Sequence, residues 1–305
     1  MSVRVKEFQI GSKADGLLLS GMMVVPEDRP HGVVQIVHGM CEHKERYLDF
    51  MKFLANEGWI AVIHDNRGHG KSVKKQEDLG YFYEGGYRAL VEDIEQVRAY
   101  VEEGLYEELP YVLLGHSMGS LAVRCYLQKY DDRIDKLVVI GSPSKPPMLK
   151  TGIRLAKTVI KLRGEKAHSK LLDRLAMGTF DKPFKSEKQP GSWICSDPAV
   201  VKEYIEDPGC GFSFTASGYL NLFELIRQTY TGKLYEVKNR DLPILFLSGR
   251  EDPCHYGPKC FGKTVHFLKK RGYKNVKAGL YAGMRHEVLN ERNKRRVYHD
   301  ILDWI

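Results

Sequence analysis

GHSMGS, residues 115–120, sets Ser117 among Gly115, Gly119 and Ser120, with His116 before it and Met118 after it. The apolar run YVLL at 111–114 leads in, and the helix-period stretch MGSLAVRCYLQKY at 118–130 leads out. Two readings compete for this strand, turn and helix. One is an ordinary connection that happens to hold a serine. The other is a nucleophile thrust out on a strained Gly-x-Ser-x-Gly turn, where side chains at 115 and 119 would collide with nearby backbone. On the second reading the Met118 amide opens the helix, so its N–H is free to donate and the helix dipole favours an anion beside it. The motif needs partners elsewhere in the chain.

Working outward, short β-branched runs stand at 3–10, 17–25, 32–39, 59–65, 111–117, 137–142, 243–249 and 276–283. Helix-period stretches follow most of the later ones, at 45–58, 87–104, 118–130, 261–272 and 290–305. An antiparallel opening followed by alternating strands and helices predicts an α/β protein: a mostly parallel, eight-stranded sheet covered by helices on both faces. Such sheets bind ligands at the carboxyl ends of their strands. The alternation breaks after GSPSKPP at 141–147 and resumes with PILFLSG at 243–249. Residues 1–144 and 236–305 are therefore read as the core, and 145–235 as an inserted helical cap over the catalytic edge.

The 305 residues are 43% hydrophobic and 28% charged, the balance of a globular chain with a sizeable core. No apolar stretch approaches the ~18–20 residues that span a bilayer, and MSVRVKEFQI alternates like an edge strand rather than running apolar like a signal peptide. Six cysteines are scattered without a CxxC pair. They read as reduced packing thiols and place the protein in the cytoplasm, although Cys254 and Cys260 are close enough in sequence to pair. The net charge of +8 is local, since 145–190 holds twelve Lys and Arg against four Asp and Glu. Basic residues interleaved with exposed aromatics, or a known reading motif, would be needed for nucleic-acid binding, and neither is present. Within that segment TGIRLAKTVIKLRG, 151–164, puts Ile153, Ala156, Val159 and Ile160 on one helical face. Its lysines are either solvated or in transient contact with an anionic membrane surface.

A serine needs an adjacent base near neutral pH. YAGMRHEVLNE carries His286 on a loop after the last strand, whereas His266 and His299 fall within helical stretches. His255 is also on a strand-end loop but stands three residues from the best acid, and base and acid must face each other across a site. That acid is Asp252 in SGREDPCH, just beyond the seventh strand, with Glu251 as the alternative. GSPSKPP, after the sixth strand, offers no carboxylate. The chain order Ser117, Asp252, His286 is that of hydrolases which mount serine on this kind of turn. A tetrahedral intermediate also needs two N–H donors. Met118 supplies one, and Met40 the other, in IVHGMCEH after the third strand, where Gly39 lets the backbone approach.

HGMCEHKERY, DNRGHGKS at 65–72, GHSMGS, SGREDP and GMRHEVLNE together resemble the monoacylglycerol lipase and lysophospholipase group of α/β-hydrolases, in particular its bacterial esterase members. The resemblance runs from about residue 30 to the C-terminus, with five motifs in order. It implies the α/β-hydrolase fold, Ser117, Asp252 and His286 as the triad, and Met40 and Met118 as oxyanion donors. It further implies that Asp65, Arg67 and His69 brace loops. The family usually has glycine or a small residue where Cys41 stands. His38, Cys41, His43, His64 and His69 could suggest a metal, but they sit on separate loops without ligand spacing. No metal or cofactor is expected.

The expected function is hydrolysis of a small-molecule carboxylic ester with an apolar acyl chain, such as a monoacylglycerol or lysophospholipid, through an acyl-enzyme. Phe212, Phe214, Tyr219 and Phe223 in CGFSFTASGYLNLFELI, 210–226, are candidate walls for the acyl chain, or else cap core. An aminopeptidase or amidase would want a cap carboxylate for the substrate amine, and Glu203, Glu206 and Asp207 are candidates. A third class, a ligand-binding relic of the fold, would have no need to keep all three triad members.

Overall fold

Successive side chains of a strand point to opposite faces, and here that alternation sorts the apolar residues into two layers. In the strand Tyr111–His116, Tyr111 and Leu113 face one layer while Val112 and Leu114 face the other. The strands Lys136–Ile140 and Ile244–Gly249 divide in the same way, with Leu137, Val139, Ile244 and Phe246 on the first side and Val138, Ile140, Leu245 and Leu247 on the second. A strand buried on both faces must lie inside a sheet covered by helices on both sides.

The computed structural model describes residues 3–105 and 108–305. In chain order the strands are β1 (Arg4–Gly11), β2 (Leu18–Val25), β3 (Gly32–Val37), β4 (Trp59–His64), β5 (Tyr111–His116), β6 (Lys136–Ile140), β7 (Ile244–Gly249) and β8 (Val276–Tyr281). They form one sheet in the order β1-β2-β4-β3-β5-β6-β7-β8. β1 and β2 pair antiparallel, β2 meets β4 antiparallel, and every later pairing is parallel. Helix α1 (Leu48–Asn56) follows β3, α2 (Gly86–Glu103) follows β4, and α3 (Met118–Tyr130) follows β5. This is the α/β-hydrolase arrangement expected from the sequence.

Between β6 and β7 the chain leaves the sheet. Among the described residues it forms α4 (Leu149–Arg163), α5 (Lys170–Met177), α6 (Pro198–Glu206) and α7 (Ala216–Thr229) there, and no further strand. Then come α8 (Pro258–Arg271) before β8 and α9 (Lys294–Leu302) after it. The hydrophobic core does not break where the strands stop. Tyr219, Phe223, Leu225 and Ile226 of α7 belong to the same buried layer as the sheet residues above. No described helix is long and apolar enough to cross a membrane. All six cysteines are free thiols, Cys254 and Cys260 included.

The position of α3 is set by two glycines. A methyl group at Gly119 would lie 2.0 Å from the Val37 carbonyl oxygen and 2.6 Å from that of His38. One at Gly115 would lie 2.6 Å from the Gly119 carbonyl oxygen. The first turn of α3 thus presses on the end of β3 with no space for a side chain. Gly262, on the exposed side of α8, has nothing within 4 Å of its missing methyl and no left-handed backbone. Urea denaturation should separate the two: Gly119→Ala should cost about 3 kcal/mol or more, because backbone must move. Gly262→Ala should stabilise by up to about 1 kcal/mol, the helix propensity difference.

Candidate active site

The turn after β5 has an unusual backbone. Ser117 has φ 51° and ψ −116°, a left-handed φ in a residue other than glycine. Its N–H donates to the Ile140 carbonyl at 3.0 Å, and Ser120 Oγ donates to the Ser117 carbonyl at 2.5 Å, so the turn is held from both sides. Ser117 Oγ donates to His286 Nε2 at 2.7 Å. His286 Nδ1 donates to Asp252 Oδ2 at 3.0 Å. All three residues are buried. Burial alone would raise the Asp252 carboxyl, but the neighbouring His286 ring and the Cys254 N–H hold it below its ordinary value. The acid therefore stays ionised and fixes the His286 tautomer whose Nε2 can take a proton from serine.

The other sequence candidates go elsewhere. His255 uses both ring nitrogens on its own turn, donating from Nε2 to the Gly249 carbonyl and accepting the Gly257 N–H at Nδ1. Glu251 is exposed. Met118 is the first residue of α3, so its N–H has no acceptor within the helix. Met40 and Met118 line one cleft together with Ser117.

Gly39 and Met40 are set by a buried carboxylate. Glu42 Oε1 accepts the Gly39 N–H at 2.6 Å, the Tyr47 hydroxyl at 2.9 Å and His116 Nδ1 at 3.2 Å. Its Oε2 accepts from Arg46 at 2.9 Å, and Arg46 makes two 2.7 Å bonds to Glu287, the residue after His286. Burial would raise Glu42, but the His116 hydrogen bond and Arg46 drive its carboxyl well below the usual range. Burial would lower His116, yet Glu42 raises it. Both ring nitrogens face acceptors, Nδ1 the Glu42 carboxylate and Nε2 the His286 carbonyl at 3.3 Å, the arrangement of a doubly protonated ring paired with Glu42. One carboxylate thus steadies both the Met40 loop and the histidine loop. The sequence signal for it was the glutamate of HGMCEH, three residues after Gly39 and four before Arg46.

The cleft over Ser117 is narrow, about 60 Å³, and walled by Leu121, Ala176, Met177, Phe180, Trp193 and Tyr256 among others. The Trp193 ring packs, tilted, 5.0 Å from His286 and 5.0 Å from Phe180. Among the described lining residues there is no carboxylate. The four aromatic residues expected to wall it do not. Phe214, Tyr219 and Phe223 are buried in the core, and Phe212 packs on His69 at 5.5 Å. Phe223 packs on Gly152 of α4, the Tyr219 hydroxyl donates to Asp173 of α5, and Phe214 packs on His69 and Phe82, while Leu222 and Ile226 of α7 line the cleft. Nothing in the local sequence around Trp193 says which residue its loop returns over. A larger hollow of about 520 Å³ lies by β1 and the end of α2, and no member of the Ser117 relay lines it.

The remaining motif residues are structural. Asp65 accepts from the Lys44 N–H and Nζ and from the Lys71 N–H, all within 2.9 Å. Arg67 reaches Asp93, the Phe82 and Glu84 carbonyls and Ser12. Burial pushes His64 and His69 down to about 3, so both are neutral packing groups. Cys41 has a left-handed φ of 55°, where glycine would be unstrained, and its thiol donates to the Phe212 carbonyl at 2.8 Å. Glu203 and Glu206 are exposed on α6, and Asp207 is paired with His43.

Comparison with known proteins gives the family. Residues 28–293 match the profile of the family described as serine aminopeptidase, S33. The chain is 26% identical over 282 residues to a monoacylglycerol lipase of Mycolicibacterium smegmatis, covering 92% of this chain and 90% of that protein. It is 23% identical over 296 residues to the monoglyceride lipase of Homo sapiens, covering 96% and 88%. A thermostable carboxyl esterase from Bacillus coagulans, solved in complex with glycerol, superposes with a TM-score of 0.90 at 26% identity, covering 99% of this chain and 98% of that one.

The Glu42 network generates a kinetic expectation. Glu42→Ala should slow labelling of Ser117 by a fluorophosphonate about 10²–10³-fold, the size of losing one oxyanion donor. Glu42→Gln, which keeps an acceptor for the Gly39 N–H, should retain most of the rate. Equal labelling rates in wild type and Glu42→Ala would show that the Met40 loop holds its shape without the carboxylate.

Proposed function

The chain belongs to the serine aminopeptidase S33 family, and from that membership and the cleft geometry we propose that it hydrolyses carboxylic esters with Ser117, His286 and Asp252 as the catalytic triad. In this reading Ser117 Oγ attacks the ester carbonyl while His286 Nε2 takes its proton. The oxyanion is received by the Met40 and Met118 N–H groups. His286 then gives the proton to the leaving alcohol, and a water activated by the same histidine releases the acid from the acyl-serine. Asp252 holds the imidazole and stabilises it when charged.

One observation carries the choice of ester over amide. The relay opens into an apolar cleft with no carboxylate among its described lining residues, so a substrate ammonium group would find no partner there. Glu203 and Glu206 point to solvent and Asp207 is occupied by His43, which leaves the aminopeptidase alternative without an anchor. The names of the relatives, monoacylglycerol lipase and carboxyl esterase, suggest an apolar acyl chain on a small alcohol. Residues 145–235 act as a cap that completes the cleft through Ala176, Met177, Phe180 and Trp193. A fluorophosphonate should label wild type, and Ser117→Ala should abolish both labelling and hydrolysis of p-nitrophenyl butyrate without moving the unfolding midpoint. Esters and monoacylglycerols should turn over far faster than aminoacyl p-nitroanilides. The reverse preference would make the protein a peptidase.

The outer surface of the cap extends the reading to aggregated substrates. Arg154, Lys157, Lys161 and Arg163 of α4 are exposed, and beside them Leu162 and Leu171 are 75% and 56% exposed. Cations flanking bare leucines suit transient contact with an anionic lipid surface. Screening shortens the electrostatic reach from about 30 Å at 0.01 M salt to about 10 Å at 0.1 M. Lys157→Glu with Lys161→Glu should therefore lower hydrolysis of substrate in anionic vesicles at low salt, and added salt should erase the difference. A soluble butyrate ester should be turned over equally by both proteins. Equal vesicle rates at low salt would leave these lysines as a solvated face.

A further inference from the structure

Beyond the cleft, on the far side of the Met40 loop, three different metal-binding side chains converge. His43 lies three residues after Met40. Asp207 and Cys210 come from the turn Asp-Pro-Gly-Cys that ends α6, closed by the Cys210 N–H donating to the Asp207 carbonyl at 3.0 Å. Their ligand atoms, a ring nitrogen, a carboxylate oxygen and a thiol sulfur, all lie within 4.8 Å of one another. The turn is built against the ring, since a methyl at Gly209 would lie 2.9 Å from His43 Cδ2. The Gly209 N–H fixes the second oxygen of Asp207 at 2.7 Å. Cys210 is buried, while the Asp207 side chain is 35% exposed and leaves a way in from solvent.

From this convergence we propose that His43 Nε2, Asp207 Oδ2 and Cys210 Sγ form a binding site for a divalent transition-metal ion of the zinc class, with water as the fourth ligand. A thiolate and an imidazole in one set select zinc-like ions over magnesium or calcium. Three protein ligands and one open position are an ordinary tetrahedral arrangement for zinc. The histidine also has the outer partner that zinc ligands carry, because its Nδ1 faces Glu45 Oε2 at 2.7 Å and this fixes Nε2 toward Asp207 and Cys210. The nearby cation Arg46 is already matched by Glu287 and Glu42. On binding, the proton between Nε2 and Asp207 and the thiol proton of Cys210 leave to solvent. The 2.8 Å hydrogen bond between Nε2 and Oδ2 opens to about 3.3 Å, the ligand separation of a tetrahedral site with bonds near 2.0 Å. The bound ion would tie the end of α6 to the segment that carries Met40.

The sequence hid this set. The loop histidines and Cys41 lacked ligand spacing, and His43 meets its real partners across 164 positions.

The test uses the full chain, stripped with chelator and titrated with cobalt(II). A thiolate-to-cobalt charge-transfer band should appear, saturate at one equivalent and be bleached by one equivalent of zinc. Cys210→Ser should abolish the band, and Asp207→Asn should weaken cobalt binding if the serine variant fails to fold. Glu45→Gln should weaken zinc binding about 10–100-fold, as loss of an outer partner does elsewhere. Asp252, Cys254 and His286 form the other cluster of ligating groups among the described residues, so Cys254→Ser should keep the band. No band in wild type, a band that survives Cys210→Ser, or one lost only in Cys254→Ser would overturn the proposal.

Discussion

The first turn of α3 meets the end of β3 backbone to backbone, with a glycine at the contact where even a methyl group would overlap the Val37 carbonyl oxygen. Most of the site follows from that contact. Because the helix starts so close to β3, the chain leaving β5 must reverse within one residue, and Ser117 takes the left-handed conformation that makes this reversal. Such a conformation costs on the order of 1–3 kcal/mol outside glycine. It persists because β6 holds the Ser117 N–H and Ser120 holds its carbonyl. The same contact puts the Met40 loop, which begins where β3 ends, beside the first amide of α3. The Ser117 hydroxyl and the Met40 and Met118 backbone are thus brought together by one packing decision.

The loops around that turn are held by buried charge more than by apolar packing. Glu42 with His116 and Arg46, Lys44 with Asp65, and Arg67 with Asp93 are ion pairs with little or no solvent contact. Removing one member of a buried pair typically costs about 3–5 kcal/mol, because the other charge is stranded. Replacing a whole pair with well-packed apolar groups is often neutral, so such pairs contribute less to net stability than to a single loop geometry. That suits a loop whose Met40 must keep one position beside Ser117 in the cleft. Two of the non-glycine residues with a left-handed φ, Cys41 and Ser117, immediately precede Glu42 and immediately follow His116 of this charged cluster.

The sheet was readable because period-two apolar runs are local signals, and all eight predicted strands appear within a few residues of their expected ends. Ser117, Asp252 and His286 were readable for a related reason: each follows a strand in a parallel sheet, so strand order alone brings them to one edge. Trp193 and the His43, Asp207 and Cys210 cluster were not readable. They depend on how a strandless segment of nearly a hundred residues folds back, and no short-range pattern encodes that return. Phe214, Tyr219 and Phe223 show the same gap from the other side. Their helical spacing announced a buried face but could not say which neighbour it faces, and Phe223 turns to Gly152 of α4 while Tyr219 reaches Asp173 of α5.

The loop bearing Trp193 is bonded to the loop bearing His286 along most of its length. The Glu287 N–H donates to the Ile194 carbonyl, Arg285 donates to the Ser192 and Cys195 carbonyls, and Ser196 donates to Glu291, which also takes the Arg285 N–H. That wall of the cleft is therefore not a detachable module. A chimera that exchanged residues 145–235 for the equivalent segment of another hydrolase would strand these partners and loosen the His286 loop itself, whatever the new segment's affinity for substrate. Residues 284–291 would have to travel with the graft. Divergence in acyl specificity within this architecture is then easier through the α5 side of the cleft, at Ala176 and Met177, whose side chains take no part in these bonds.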